Sequence, residues 1–248
     1  MALPYTGRTA APVADTARRG VASRRRSAHD PAISLTDRES MPRTDYPRIA
    51  PEGMPWILSA LAALAAGVTL AGWWAAVPLG ALAAGLLLLF QDPWRDIPAA
   101  PLGVLAPVDG VVTEVTGSGP GILDREAVRV TLRINNFGAY TARSPIEGKV
   151  LDPRDNLSDH SRWLDVHGMW VRSDENDDVV VLVHGPKWFG APRAFLGYGE
   201  RVGQGQRFAF MRLARTAEVY LPADAHVRVE VGQRVRAGTD SLAELRHR

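Results

Sequence analysis

The stretch GQRFAFMRLARTAEVYLP, residues 205–222, holds two short apolar and aromatic runs, RFAFMRL and AEVYLP, the second closed by a proline. Read together they form a strand-like segment, because short runs of this kind predict strands and a proline ends a strand more readily than it interrupts one. Working outward, the same character recurs in VRVTLRI at 128–134, VVVLVH at 179–184 and VRVEV at 227–231. Glycine and proline punctuate these runs at short spacing. The pattern predicts a mainly β fold, a compact sandwich or barrel rather than a parallel α/β sheet.

An internal echo supports that expectation. APVDGVV, 106–112, recurs as SPIEGKV, 144–150, with proline, an acid and glycine in the same places. The later VGQRVRAGT, 231–239, resembles the turn and strand that close a barrel-sandwich hybrid of the biotinyl and lipoyl kind. A carrier role does not follow from this, because Lys149 comes after the turn glycine instead of standing at a turn tip.

Composition narrows the class. The 248 residues are 46% apolar, enough for a full core, and the formal charge is only +2. Cations are 27 Arg and 2 Lys, Lys149 and Lys187, a bias that looks like GC-rich coding more than selection for nucleic-acid binding, so no nucleic-acid partner is expected. The absence of cysteine excludes disulfides, thiolate nucleophiles and Cys-ligated zinc.

The chain divides into three parts. Residues 1–53 are polar and lack apolar periodicity, which predicts a disordered arm, and Met41 and Met54 are alternative starts within or just after it. Residues 54–90 run for 37 positions without a charge, longer than the roughly 17–25 that one membrane helix needs. With GWWAAVP, 72–78, supplying turn formers and interfacial tryptophans, residues 54–91 predict a transmembrane helical hairpin. Arg43, Arg48 and Arg95 flank it and the turn is uncharged, so the positive-inside rule places both ends, and the β domain of residues 92–248, on the cytoplasmic side of the inner membrane.

Taken in order, the motifs resemble the short bacterial phosphatidylserine decarboxylases. A membrane hairpin ends in FQDPWRDIP, 90–98; APVDGVV and ARSPIEGKV follow; then come Glu175-Asn176 and the stretch GQRFAFMRLARTAEVYLP. The resemblance covers about residues 88–243 and implies conversion of phosphatidylserine to phosphatidylethanolamine with loss of carbon dioxide. It also implies self-cleavage at a Gly-Ser bond, whose serine becomes a pyruvoyl group acting as electron sink. At those two positions this chain has Ala214 and Arg215. A guanidinium has no nucleophilic oxygen and no β leaving group, so no pyruvoyl cofactor is expected. Thr216 carries a hydroxyl one residue on, but strand alternation aims it at the other face. Gly117-Ser118 lies far from the matching position and reads as a turn.

The supporting positions have changed too. Where the resemblance expects a histidine acid or base, this chain has Tyr140, a poor base at neutral pH. Asp109 matches the family's acid and is the surviving catalytic candidate, with a turn-shaping role placed first because Glu147 holds the equivalent place in the echo. Arg143 and Arg215 are expected to bind the phosphate or carboxylate of a headgroup. Membrane phospholipid is thus the expected partner, with a protein partner or a second copy of the chain beside it. The rival reading is a membrane-tethered barrel-sandwich interaction module with no headgroup site. His160 and His167, with Asp159 and Asp165 nearby, lack zinc-ligand spacing, and Ser161 beside His160 is no triad, so no metal is expected. SDENDD, 173–178, reads as a hairpin turn and not a calcium loop.

Overall fold

The computed structural model describes residues 48–120, 122–123, 125–156, 167–185 and 192–246. Its strands are β1 (Gly103–Leu105), β2 (Gly110–Pro120), β3 (Glu126–Ile134), β4 (Thr141–Arg143), β5 (Gly148–Val150), β6 (His167–Arg172) and β7 (Asp178–His184). They continue as β8 (Arg193–Ala194), β9 (Arg201–Val202), β10 (Arg207–Phe210), β11 (Thr216–Pro222), β12 (His226–Val227), β13 (Arg234–Val235) and β14 (Ser241–Glu244). Eight of these form one sheet in the order β13-β2-β3-β11-β7-β6-β5-β9, and two three-stranded sheets, β1-β14-β12 and β4-β10-β8, complete the domain. All the registered pairings are antiparallel, as the short punctuated runs predict.

Alternation fixes which side of each strand is buried. Along β11, Ala217, Val219 and Leu221 face the main core with Val130, Leu132, Val181 and Leu242, while Thr216, Glu218 and Tyr220 stay half exposed. Thr216 therefore points to the opposite face, as the period of two requires. A smaller apolar cluster of Trp170, Val180 and Leu182 covers part of the other face, with the Trp170 indole donating to Asp178 at 2.7 Å.

Local expectations met different outcomes. SDENDD does form the β6–β7 connection, where Asn176 adopts φ 65°. The two glycines of the echo both admit the backbone of a neighbouring strand. A Cβ on Gly110 would lie 2.2 Å from the Arg133 carbonyl oxygen, and one on Gly148 would lie 2.1 Å from that of Arg172. In contrast, Gly117-Ser118 lies inside β2 at a register irregularity instead of in a turn. VRVEV contributes only Val227 to a strand. The deciding stretch is broken: β10 ends at Phe210 and β11 starts at Thr216, with Arg212 and Leu213 at φ 46° and 59° between them.

Two helices precede the β domain, α1 (Met54–Ala71) and α2 (Ala76–Leu89), joined through Gly72 at φ 78° and a short 3-10 turn. They pack on each other, since a Cβ on Gly67 would meet Leu79 at 2.4 Å. The chain folds back so that Ile49 bridges Gln91 and the Ala50 amide donates to the Phe90 carbonyl. The helical stretch Pro51–Ala71 is long and apolar enough to cross a membrane, whereas Trp73–Leu89 is shorter. A final short helix, α3 (Pro153–Asn156), lies in the β domain. Residues 48–53 belong to this folded unit, which moves the boundary of the arm expected over 1–53: Ala50 is buried and Glu52 is paired. Residues 1–47 lie outside the described residues.

Candidate functional site

Four of the motifs that carry the sequence resemblance, around Asp92, Asp109, Arg143 and Arg207, meet at the end of the β domain where the helix pair enters, whereas Glu175-Asn176 lies in the β6–β7 turn at the far end of β7. Asp109 closes the turn before β2 and binds three distant segments. Its Oδ2 accepts from Arg95 Nη2 at 2.7 Å and from the Ala139 amide at 2.8 Å, and its Oδ1 accepts from the Ala237 amide at 2.6 Å. The carboxylate is consumed by these bonds. Asp109 is a structural tie, and Glu147 at the echoed position is exposed.

Beside it lies a buried ionic cluster. Asp92, 1% exposed, accepts from the Thr141 hydroxyl at 2.7 Å and sits 3.0 Å from Arg207 Nε and 3.9 Å from Arg143 Nη2. Arg143 donates to the carbonyls of Gly205 and Pro93 at 3.2 and 3.3 Å, and Arg207 to the Asp92 carbonyl at 3.2 Å. Burial pushes the Asp92 carboxyl up, while Thr141, Arg207 and Arg143 pull it back, and burial pushes the Arg143 guanidinium down. A cluster of this kind fixes geometry more than it adds stability. Arg143 is thereby committed to the interior, 5% exposed.

Tyr140 stands at the junction of helices and sheet. Its ring packs on Phe90 and Phe210 with centroids 4.9 and 5.9 Å away, and its hydroxyl donates to Glu52 at 3.1 Å. Burial first, then the neighbouring Glu52 carboxylate, drive its phenol well above the usual range. Tyr140 is therefore no base at neutral pH. Glu52 is also paired with Arg212, whose Nε donates to it at 2.9 Å.

Arg212 and Leu213 occupy the left-handed region, at a cost of about 1–2 kcal/mol each for residues with a Cβ. Tertiary bonds hold the turn in place: the Met211 amide donates to the Tyr140 carbonyl at 3.1 Å and the Arg215 amide to that of His184 at 2.8 Å. Ala214 is fully buried, and Arg215 is exposed with no side-chain partner among the described residues. Against this turn lies a cavity of about 370 Å³ with an apolar wall of Trp56, Leu86, Leu89 and Phe90 and a polar end of Glu52, Tyr140 and Arg212. Such a cavity can take an amphipathic molecule, its polar part toward Arg212 and its apolar part along the helices.

Sequence reasoning singled out Asp109, Tyr140, Arg143, Ala214 and Arg215; of the two arginines among them, Arg143 is buried and Arg215 exposed. It passed over Asp92, Arg95 and Arg207, although each stands inside a quoted motif, and it missed Glu52 and Arg212. Glu52 and Asp92 are the acids that flank the uncharged run, each two positions from its end, which was the signal available. His160 and Ser161 lie outside the described residues, and His167 is exposed at the start of β6.

Fold and site together define an antiparallel β domain bearing an apolar helix pair, with a cavity where the two meet. The chain belongs to the phosphatidylserine decarboxylase family. It is 32% identical over 214 residues to the phosphatidylserine decarboxylase proenzyme of Nitrosomonas europaea, covering 83% of this chain and 99% of that one. It is 33% identical over 211 residues to the proenzyme of Cupriavidus taiwanensis, with 81% and 97% covered. No family model matches the chain. Among solved structures, glucose permease IIA from Mycoplasma capricolum aligns with a TM-score of 0.37 at 14% identity, over 57% of this chain and 94% of that one, a likeness too slight to argue from.

Proposed function

We propose that this chain is a membrane-anchored member of the phosphatidylserine decarboxylase family that binds anionic phospholipid without building a pyruvoyl group. One observation carries the reading: Ala214-Arg215 stands where the resemblance expects the self-cleavage pair, with no β-hydroxyl on Arg215 and the Thr216 side chain on the face of β11 away from Ala217. Residues of this kind do not fit a pyruvoyl group, so no chemical step is assigned to one. Tyr140, held by Glu52 and kept protonated by burial, supports the same conclusion.

In this reading the helix pair spans the inner membrane as a hairpin, with the β domain a barrel-sandwich-like body on the cytoplasmic side. Its apolar surface supports this, with Leu58 59%, Leu70 88% and Val77 71% exposed, a surface that calls for lipid around it. Exposed tryptophans at the turn, Trp73 and Trp74, and at the base, Trp56 and Trp94, suit the two headgroup layers. In this reading a lipid entering the basal cavity from the bilayer turns its polar part to Arg212, and Arg215, three positions on and exposed, supplies a further cation, while Arg143 is buried.

Denaturing mass analysis of the purified chain tests the first half: one polypeptide of 26.9 kDa is expected, and two fragments split near Ala214 would refute it. Labelled phosphatidylserine should give no phosphatidylethanolamine. In nanodiscs, Arg215→Ala should weaken retention of anionic lipid, and unchanged retention would favour an interaction module without a headgroup site.

A further inference from the structure

A second surface near the helix base shares no lining residue with the basal cavity. A groove of about 480 Å³ runs between Arg133 on β3 and Arg234 on β13, with Arg236 and Asn135 at its rim. The pairing Arg234↔Val111↔Arg133 places the two arginines across one row of the sheet. Both are exposed, and neither has an acidic partner among the described residues. Asp109, at the floor, is already neutralised by Arg95, and Arg236 is paired with Asp240.

The groove adjoins the point where the helices leave the β domain. Asn135 leads into a turn whose Phe137 is 65% exposed, and the Phe137 carbonyl accepts from Gln91 Nε2 at 2.5 Å. Gln91 stands just past the C-terminal end of α2. Along that helix pair the second apolar stretch, Trp73–Leu89, has 17 residues, about 26 Å at 1.5 Å per residue against a hydrocarbon core of about 30 Å. A span that short draws its flanking residues toward the bilayer. An exposed phenylalanine beside unpaired arginines, held at that depth, matches an anionic bilayer surface in both polarity and charge.

We propose that Arg133, Arg234 and Phe137 dock the near face of the β domain onto the anionic surface of the bilayer that holds the helix pair. This rests on the membrane reading of the helices. The docked state gives the β domain a fixed tilt, presenting the basal cavity to the lipid layer, and it depends on anionic lipid where helix insertion does not.

The chain has no cysteine, so single labels can be placed at will. Fluorophores at Asn136→Cys beside Phe137, at Leu61→Cys within α1 and at Ser118→Cys, about 25 Å along β2 from the groove, are read in the full chain in nanodiscs carrying lipid-linked quenchers. Discs of zwitterionic lipid are compared with discs containing phosphatidylglycerol. Asn136→Cys should be quenched in the anionic discs and much less in the zwitterionic ones, with Ser118→Cys silent in both. Each arginine near such a surface multiplies the docked population about fivefold, so Arg133→Gln with Arg234→Gln should lower the docked-to-undocked ratio about thirtyfold. Thermal unfolding of that variant should be unchanged. Equal quenching in both discs, an unaffected double variant, or release by inorganic phosphate at constant ionic strength would overturn the docking proposal. If Leu61→Cys is quenched while Asn136→Cys is silent, docking alone fails; if Leu61→Cys is not quenched, the membrane reading falls with it.

Discussion

Substituting Asp109 by alanine separates a structural tie from a catalytic acid. The change strips one charge-assisted bond from Arg95 and leaves the amides of Ala139 and Ala237, 1% and 0% exposed, without an acceptor. Each stranded buried amide costs about 1–3 kcal/mol, so the two together give a loss of about 2–6 kcal/mol. For a chain of this size that corresponds to a fall in Tm of roughly 4–24 °C. The assay is thermal unfolding of the detergent-solubilised chain by near-UV circular dichroism, with hydrogen exchange at the Ala139 and Ala237 amides as the local readout. Glu147→Ala at the echoed but exposed position is the control, expected within about 0.5 kcal/mol of the parent. A loss under about 1 kcal/mol for Asp109→Ala, or unchanged exchange at both amides, would refute the assignment.

Three further outcomes follow from local geometry. Leu213→Gly should stabilise by about 1 kcal/mol by removing a left-handed penalty at φ 59°, and a net loss in chemical denaturation would show that Leu213 packing outweighs it. Gly138→Val should destabilise by about 1–3 kcal/mol, since even a Cβ there would lie 2.4 Å from Asp109 Oδ2; an unchanged Tm would argue against that close approach. Tyr140→Phe should cost about 1 kcal/mol at neutral pH for the lost bond to Glu52. Because the folded phenol lies above its unfolded value of 10.0, the Tyr140 contribution is complete below that pH and is lost as pH rises through the folded value. The parent should therefore lose about 1.4 kcal/mol against Tyr140→Phe between neutrality and pH 11, and a gap constant with pH would be the contrary result.

The β character was legible because its signal is local. In Ala217-Glu218-Val219-Tyr220-Leu221 the period of two is visible residue by residue, and it alone placed Thr216 on the face away from Ala217. The echo of APVDGVV in SPIEGKV likewise reported a repeated backbone event, the close approach of Gly110 and Gly148 to a neighbouring strand. It did not report side-chain roles, since Asp109 ties three segments while Glu147 faces solvent.

The turn at 211–215 was illegible for a physical reason. Met211, Arg212 and Leu213 include no glycine, proline or asparagine, so nothing local announces a left-handed pair; the bonds that Met211, Arg215 and Arg212 donate to the Tyr140 and His184 carbonyls and the Glu52 carboxylate impose it from a distance. The fate of Arg143 was hidden in the same way, since burial against Asp92, Pro93 and Gly205 depends on segments 50 to 62 residues apart in the chain.

By itself the sequence determined the mainly β body, the uncharged helical run and the presence of Ala214-Arg215 where the resemblance expects Gly-Ser, because each is written in side-chain type and short-range spacing. Only the tertiary structure decided which charged groups are consumed as ties and which remain open. Asp109, Asp92 and Arg143 are spent on contacts that exist only after the chain has folded, and Arg133, Arg215 and Arg234 are left facing outward because no acid among the described residues reaches them.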